Sequence, residues 1–201
     1  MTDATRDVAA ASIAVRTEAS VRAYLACARL AWIDDIDGFA ARFAADREAL
    51  RAATGSCLPF RRGVVRALLA AARDARKATG ACSGCDCTQP CETPLDPQAF
   101  EAFERAWARA VIAEAAARTR DAAEAAGDAD AWEIFQKTAL EGHETSALAR
   151  ERGITTAEAR TRAARMAEPF DRALRDALRE EGIAAEDLDD ELAWLMEAAT
   201  R

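Results

Sequence analysis

Apolar residues recur at helical spacing over most of this chain. Val21, Tyr24, Leu25 and Ala28 predict a first helix over 15–32, after a loose tail at 1–14. Asp34-Asp35-Ile36-Asp37 interrupts it, and Asp37 is placed to cap the next helix. Phe39, Phe43 and Leu50 mark that second helix, from about Gly38 to Ala52. Thr54-Gly55-Ser56 is a turn. Pro59 then opens a third helix whose core stripe is Phe60, Val64, Ala67, Leu68 and Ala71. Further on, Phe100, Phe103, Trp107, Val111 and Ile112 predict a long helix from about Pro97 to Ala126, opened by Asp96 or Gln98. Trp132, Phe135 and Leu140 mark a short one. After Pro169, Phe170, Leu174 and Leu178 continue a buried face, Gly182-Ile183 turns the chain, and Leu188, Leu192 and Leu195 line a last acidic helix. Aromatic stripes of this kind are core before they are anything else.

The most informative stretch is Glu144–Arg179. Ser146–Arg152 predicts a short helix with Leu148 and Ala149 facing inward. Gly153 gives the backbone freedom a tight turn needs, and Ile154 plugs the corner. Thr155 caps the following helix, and Glu158 three residues on completes a capping box. Ala159, Ala163 and Met166 share the inner face. Ala157, Arg160, Thr161, Ala164 and Arg165 lie on or beside the outer one. This is a helix-turn-helix pattern over about 145–167, and in a DNA-binding protein the outer face enters the major groove. A plain helical corner has the same signature. Arg152, just before the turn, stands where an apolar residue would pack better, and Glu168-Pro169 is expected to end or kink the helix.

Composition narrows the class. Alanine dominates the 201 residues, and β-branched runs are almost absent, which favours an all-α protein. The net charge is −8, so the chain as a whole is no general polyanion binder. Phe60–Lys77 nevertheless carries Arg61, Arg62, Arg66, Arg73, Arg76 and Lys77 against Asp74 alone. That is a localised anion-facing surface or, more plainly, a solvated helix face. No apolar run is long enough to span a bilayer, and the N-terminus lacks a signal-peptide core, so a cytoplasmic protein is expected.

Six cysteines are present, and four fall in one short segment, CSGCDCTQPC, as C-x2-C-x-C-x3-C. Cys82, Cys85, Cys87 and Cys91 would repel one another as thiolates unless protonated, oxidised or neutralised by a cation. Zn²⁺ is the first expectation and an Fe–S cluster the alternative, with a redox pair or an unligated loop remaining. His143 is the only histidine, remote in sequence, and reads as a surface residue. Cys27 and Cys57 sit among apolar residues and read as small buried hydrophobes. With one histidine, no nucleophile motif, no phosphate loop and no convincing carboxylate pair, the chain is not expected to be an enzyme.

Two small helical domains, 15–79 and 98–201, joined by a Cys-rich loop at 80–97, make an order that resembles the sigma-70 family. The likeness is to its extracytoplasmic-function type, which has regions 2 and 4 only. The stretch from Gly38 to Gly80 is similar to region 2, FEAFERAWARAVI to the opening of region 4 in one subgroup, and DLDDELAWLMEA to that subgroup's tail. The resemblance implies a transcription initiation protein that binds core RNA polymerase through the β′ clamp helices and the β flap, and that reads promoter DNA. By position, Asp34, Asp35, Phe39 and Arg42 fall in the polymerase-binding part. Arg61, Arg62, Arg66, Arg73, Arg76 and Lys77 fall in the part contacting the −10 element. Arg160, Thr161, Arg162 and Arg165 fall on the helix reading the −35 element. An anti-sigma factor is a further partner of the kind such a protein has. Gly63-Val64-Val65 stands where relatives often carry strand-holding aromatics, and a cysteine cluster is not typical of their linker. A second reading therefore keeps the ancestry and drops the DNA: an adaptor or regulator that binds polymerase or another protein.

Overall fold

The structure is a computed structural model that describes residues 3–46, 48, 50, 60–78 and 95–201. Among these residues every regular element is helical and no strand occurs, so the all-α class holds. The helices are α1 (Asp3–Ala28), α2 (Ile36–Ala45), α3 (Phe60–Ala78), α4 (Pro97–Ala125), α5 (Ala129–Phe135), α6 (Thr145–Glu151), α7 (Thr156–Glu180) and α8 (Leu188–Thr200). A π-helical turn, Gln136–Leu140, follows α5, and a 3-10 turn, Ala185–Asp187, precedes α8. No described helix is long and apolar enough to cross a membrane.

Several elements differ from their predicted form. α1 already runs from Asp3, through the stretch expected to be a loose tail; its alanine-rich sequence has high helix propensity. α2 starts earlier than Gly38 because Asp35, not Asp37, is its cap: the Asp35 carboxylate accepts from the Gly38 amide at 2.8 Å. Asp37 is instead paired with Arg22 of α1. Pro169 does not end α7, which continues to Glu180. Met166, Phe170 and Leu174 are all buried across that point, and their packing outweighs the missing proline amide. Cys27 is exposed rather than buried.

The chain divides into two units, 1–110 with 180–183 and 189–201, and 111–179 with 184–188. These bounds cut α4, and α8 belongs to the first unit, whereas the sequence reading placed it in the second domain. In the first unit α1 packs on α2 and α3. Its core includes Tyr24, Leu25, Phe43, Val64, Leu68, Phe103 and Trp107. The rings of Phe100, Phe103 and Trp107 follow one another along α4, with Phe60 edge-on to Trp107 at 5.5 Å. Ala99, Phe103, Trp107, Val111, Ala115, Thr119 and Ala123 are all buried along α4. A spacing of four overshoots a turn by about 40°, so this buried line winds round the helix rather than keeping to one face. The buried hydroxyls of Thr17, Ser20 and Thr119 each bond a carbonyl one turn back, which lets them sit in the core.

Candidate nucleic-acid interface

The helix-turn-helix forms in the second unit. Ile134 of α5, Leu148 and Ala149 of α6 and Ala159 of α7 make its core, with Ile154 and Ala163 packed against them. Gly153 adopts φ +65°, a conformation that a side chain would strain. The Ile154 amide then bonds the Ala149 carbonyl at 3.0 Å, which closes the turn. The capping box is complete. The Glu158 amide donates to the Thr155 hydroxyl at 3.1 Å, and the Thr155 amide donates to the Glu158 carboxylate at 2.9 Å. The Thr155 amide, and then the Thr155 hydroxyl, which donates to the same carboxylate oxygen at 2.9 Å, hold the Glu158 carboxyl below its ordinary value of 4.5. The turn and cap are local, which is why they are legible in the sequence.

The outer face of α7 exposes Ala157, Arg160, Thr161, Ala164 and Arg165. Arg160 makes no ion pair or hydrogen bond among the described residues. The Thr161 hydroxyl bonds the Ala157 carbonyl at 3.0 Å. Arg162 is half-buried, and its guanidinium is bound to Asp130. Arg165 lies 3.2 Å from the Asp128 carboxylate. Arg152 bonds both Asp130 and Glu133, which explains a charged residue where an apolar one would pack. The hydrogen bond from Arg152, then that from Lys137, holds the Glu133 carboxyl below its ordinary value. Nothing in the sequence pattern singles out these carboxylates. Asp128, Asp130 and Glu133 meet the arginines only through folding, and no periodicity links them beforehand.

The predicted basic surface of α3 splits in two. Arg62 and Arg66 are exposed, one turn apart, with no ion pair among the described residues. Lys77 is exposed 3.5 Å from Asp74. Arg61 is only 12% exposed: it is ion-paired with Glu191 of α8, and its guanidinium lies 3.5 Å over the Trp194 ring. Arg76 lies 4.8 Å over the ring of Trp32, whose indole N–H donates to the Ala72 carbonyl. Arg73 is half-buried. Beside Arg61, burial pushes the Glu104 carboxyl up, against the pull of the nearby arginines.

Among the residues matched to polymerase binding, Asp34 is exposed and Phe39 half-buried. Asp35 is occupied as the α2 cap, with Arg42 3.7 Å from it. Cys57 and the cluster Cys82, Cys85, Cys87 and Cys91 lie outside the described residues. Among the described residues no group of three or more His, Cys, Asp or Glu is placed to hold a metal ion. His143 is exposed, 3.5 Å from Glu141.

The second unit also has an open groove of about 530 Å³, where Thr119 and Ala123 of α4 face Met166 and Pro169 of α7, with Asp128 and Arg165 at its edge. No protein-family model, curated protein or solved structure matches the chain.

Proposed function

We propose that the chain is a sigma-factor-like transcription initiation protein that binds core RNA polymerase and promoter DNA in the cytoplasm. The observation that carries this reading is the helix-turn-helix, with its positive-φ glycine turn, complete capping box and arginine-bearing outer face on α7. That face suits a major groove, where Arg160 can reach a base edge and neighbouring arginines the phosphates. Exposed Arg62 and Arg66 give the first unit a separate cationic surface. The sequence resemblance supplies the polymerase.

The test is transcription by purified core RNA polymerase on randomised promoter DNA, with and without the protein, scoring binding to the core in the same samples. Binding plus new start sites is the expected result, and Arg160→Ala should remove sequence preference. No binding to the core would sink the reading.

The cysteine cluster belongs to the same proposal as a zinc site, with an Fe–S cluster as the alternative. Metal analysis of the purified protein should find bound metal that is lost in Cys85→Ser/Cys87→Ser. Metal-free wild-type protein would end that part.

An adaptor that binds polymerase or a regulator without reading DNA is the second reading. It is favoured by the prior engagement of Arg61, Arg152, Arg162 and Arg165 with groups of the chain itself. Binding to the core without initiation, indifferent to Arg160→Ala, is its expected signature.

A further inference from the structure

The carboxylates of Asp128 and Asp130 are matched to the arginines of α7. Arg162 and Arg165 stand three residues apart and so share a face of the helix. Asp130 takes Arg162, and Asp128 takes Arg165 at 3.2 Å. The second oxygen of Asp130 takes Arg152, from the end of α6. One short acidic segment thus engages cations from both helices of the helix-turn-helix. Both carboxylates sit at the start of α5, where the helix end favours negative charge.

These pairs are not what builds the motif. Its core is Ile134, Leu148, Ala149 and Ala159, and its turn is closed by backbone and by the capping box. Asp128, Asp130 and Arg165 are each more than a third exposed in their side chains. Ion pairs in such positions are weak and exchange readily with another anion. Any phosphate arriving at Arg162 or Arg165 must displace a carboxylate that then stays nearby and repels it.

We infer that Asp128 and Asp130 are internal competitors for phosphate, holding Arg165 and Arg162 so that the interface binds nucleic acid weakly unless other contacts draw it in. The inference rests on the DNA-binding reading of this same face. Arg160, with no such partner among the described residues, is left to engage first.

The experiment compares the full-length wild-type protein with Asp128→Asn/Asp130→Asn and with Glu186→Gln/Asp190→Asn, which removes the same charge elsewhere, at two exposed positions. Binding to a mixed-sequence duplex is measured over a series of salt concentrations. The first variant should bind about tenfold tighter than the control, and its log K against log salt should be steeper by roughly 1.8, the release expected for two more phosphate contacts. Asp128 makes no side-chain cap bond and Asp130 lies inside the helix, so the change removes only partly exposed ion pairs and the fold should survive. Should the double variant fail to fold, Asp128→Asn alone decides through Arg165, with about a threefold gain and half the added slope expected.

If the wild type binds and the variant is no tighter than the control, the inference is overturned and the DNA-binding reading stands. If only the variant binds, the inference stands and unaided DNA reading by the wild type fails. If neither binds, the carboxylates are not what holds anions away, and the inference is overturned.

Discussion

Arg16 and Glu181 are 165 residues apart in sequence, and their side chains meet at 2.7 Å in the core of the first unit. Both side chains are almost wholly excluded from solvent. The same Glu181 oxygen accepts the Trp107 indole N–H at 2.8 Å, and Glu180 adds a second carboxylate 3.6 Å from Arg16. A helix near the N-terminus, the long aromatic helix and the turn before α8 are thereby tied at one buried polar point.

Arg16→Met alone should destabilise the protein by about 3–5 kcal/mol, because it strands a buried carboxylate rather than removing a pair. Glu181→Leu alone likewise deprives the buried guanidinium of its nearest carboxylate. Arg16→Met/Glu181→Leu, which removes both charges, should cost much less than the two single changes together. Urea denaturation of the four proteins provides the cycle. A single-variant loss under about 0.5 kcal/mol would mean the pair is not structural.

The helix-turn-helix carries an acid sensitivity of known sign. The Glu158 and Glu133 carboxyls are both held below 4.5 in the folded protein, by the Thr155 bonds and by Arg152 respectively. The unfolded chain therefore takes up protons first as pH falls. The stability these groups supply is present above 4.5 and is lost as pH drops through their lowered values. Thermal melting between about pH 6 and pH 3 should show a steeper loss in wild type than in Glu158→Ala. Thr155→Ala, which removes the cap itself, should cost about 1 kcal/mol at neutral pH. Parallel pH curves for wild type and Glu158→Ala would contradict the assignment.

Gly38 leaves room for the Asp35 carboxylate that caps its helix. A Cβ there would stand 1.9 Å from Oδ2 of Asp35, whose Oδ1 caps α2, so Gly38→Ala must push the cap aside. The lost cap and the gained helix propensity are each about 1 kcal/mol and should nearly cancel. In an Asp35→Ala background the clash is absent, and Gly38→Ala should then stabilise by about 1 kcal/mol. Equal effects in both backgrounds would dismiss the coupling.

Pro169 sits inside α7, where it cannot donate to the Arg165 carbonyl. Pro169→Ala should raise stability, by up to about 3 kcal/mol on propensity alone. A loss of stability would show that the proline ring, at the edge of the α4–α7 groove, supplies packing worth more than the bond.

The sequence by itself determined the all-α class, the Phe103–Trp107–Val111 stripe of α4, and the turn and capping box at 153–158. Each depends on residues within one or two turns of each other, so spacing and residue type suffice. The local rules erred where packing competed. On α3 they place Val64 and Leu68 inside, but Val65, Leu69 and Ala72 are buried where Phe60, Ala67 and Ala71 are only half-buried. Pro169 reads as a stop, yet the buried Met166, Phe170 and Leu174 carry α7 past it. Asp37 reads as the cap of α2, yet Arg22, brought in from α1, takes Asp37, and Asp35 caps the helix instead. Only the tertiary structure decided which arginines stay available. Arg61 and Arg62 are adjacent in the chain, but one lies under Trp194 and the other faces solvent. Arg160 and Arg162 lie on one helix, and only Arg162 is taken by Asp130. Charge pairing acts between groups a few ångströms apart in space, whatever their separation along the chain, and that distance is set only when the helices pack.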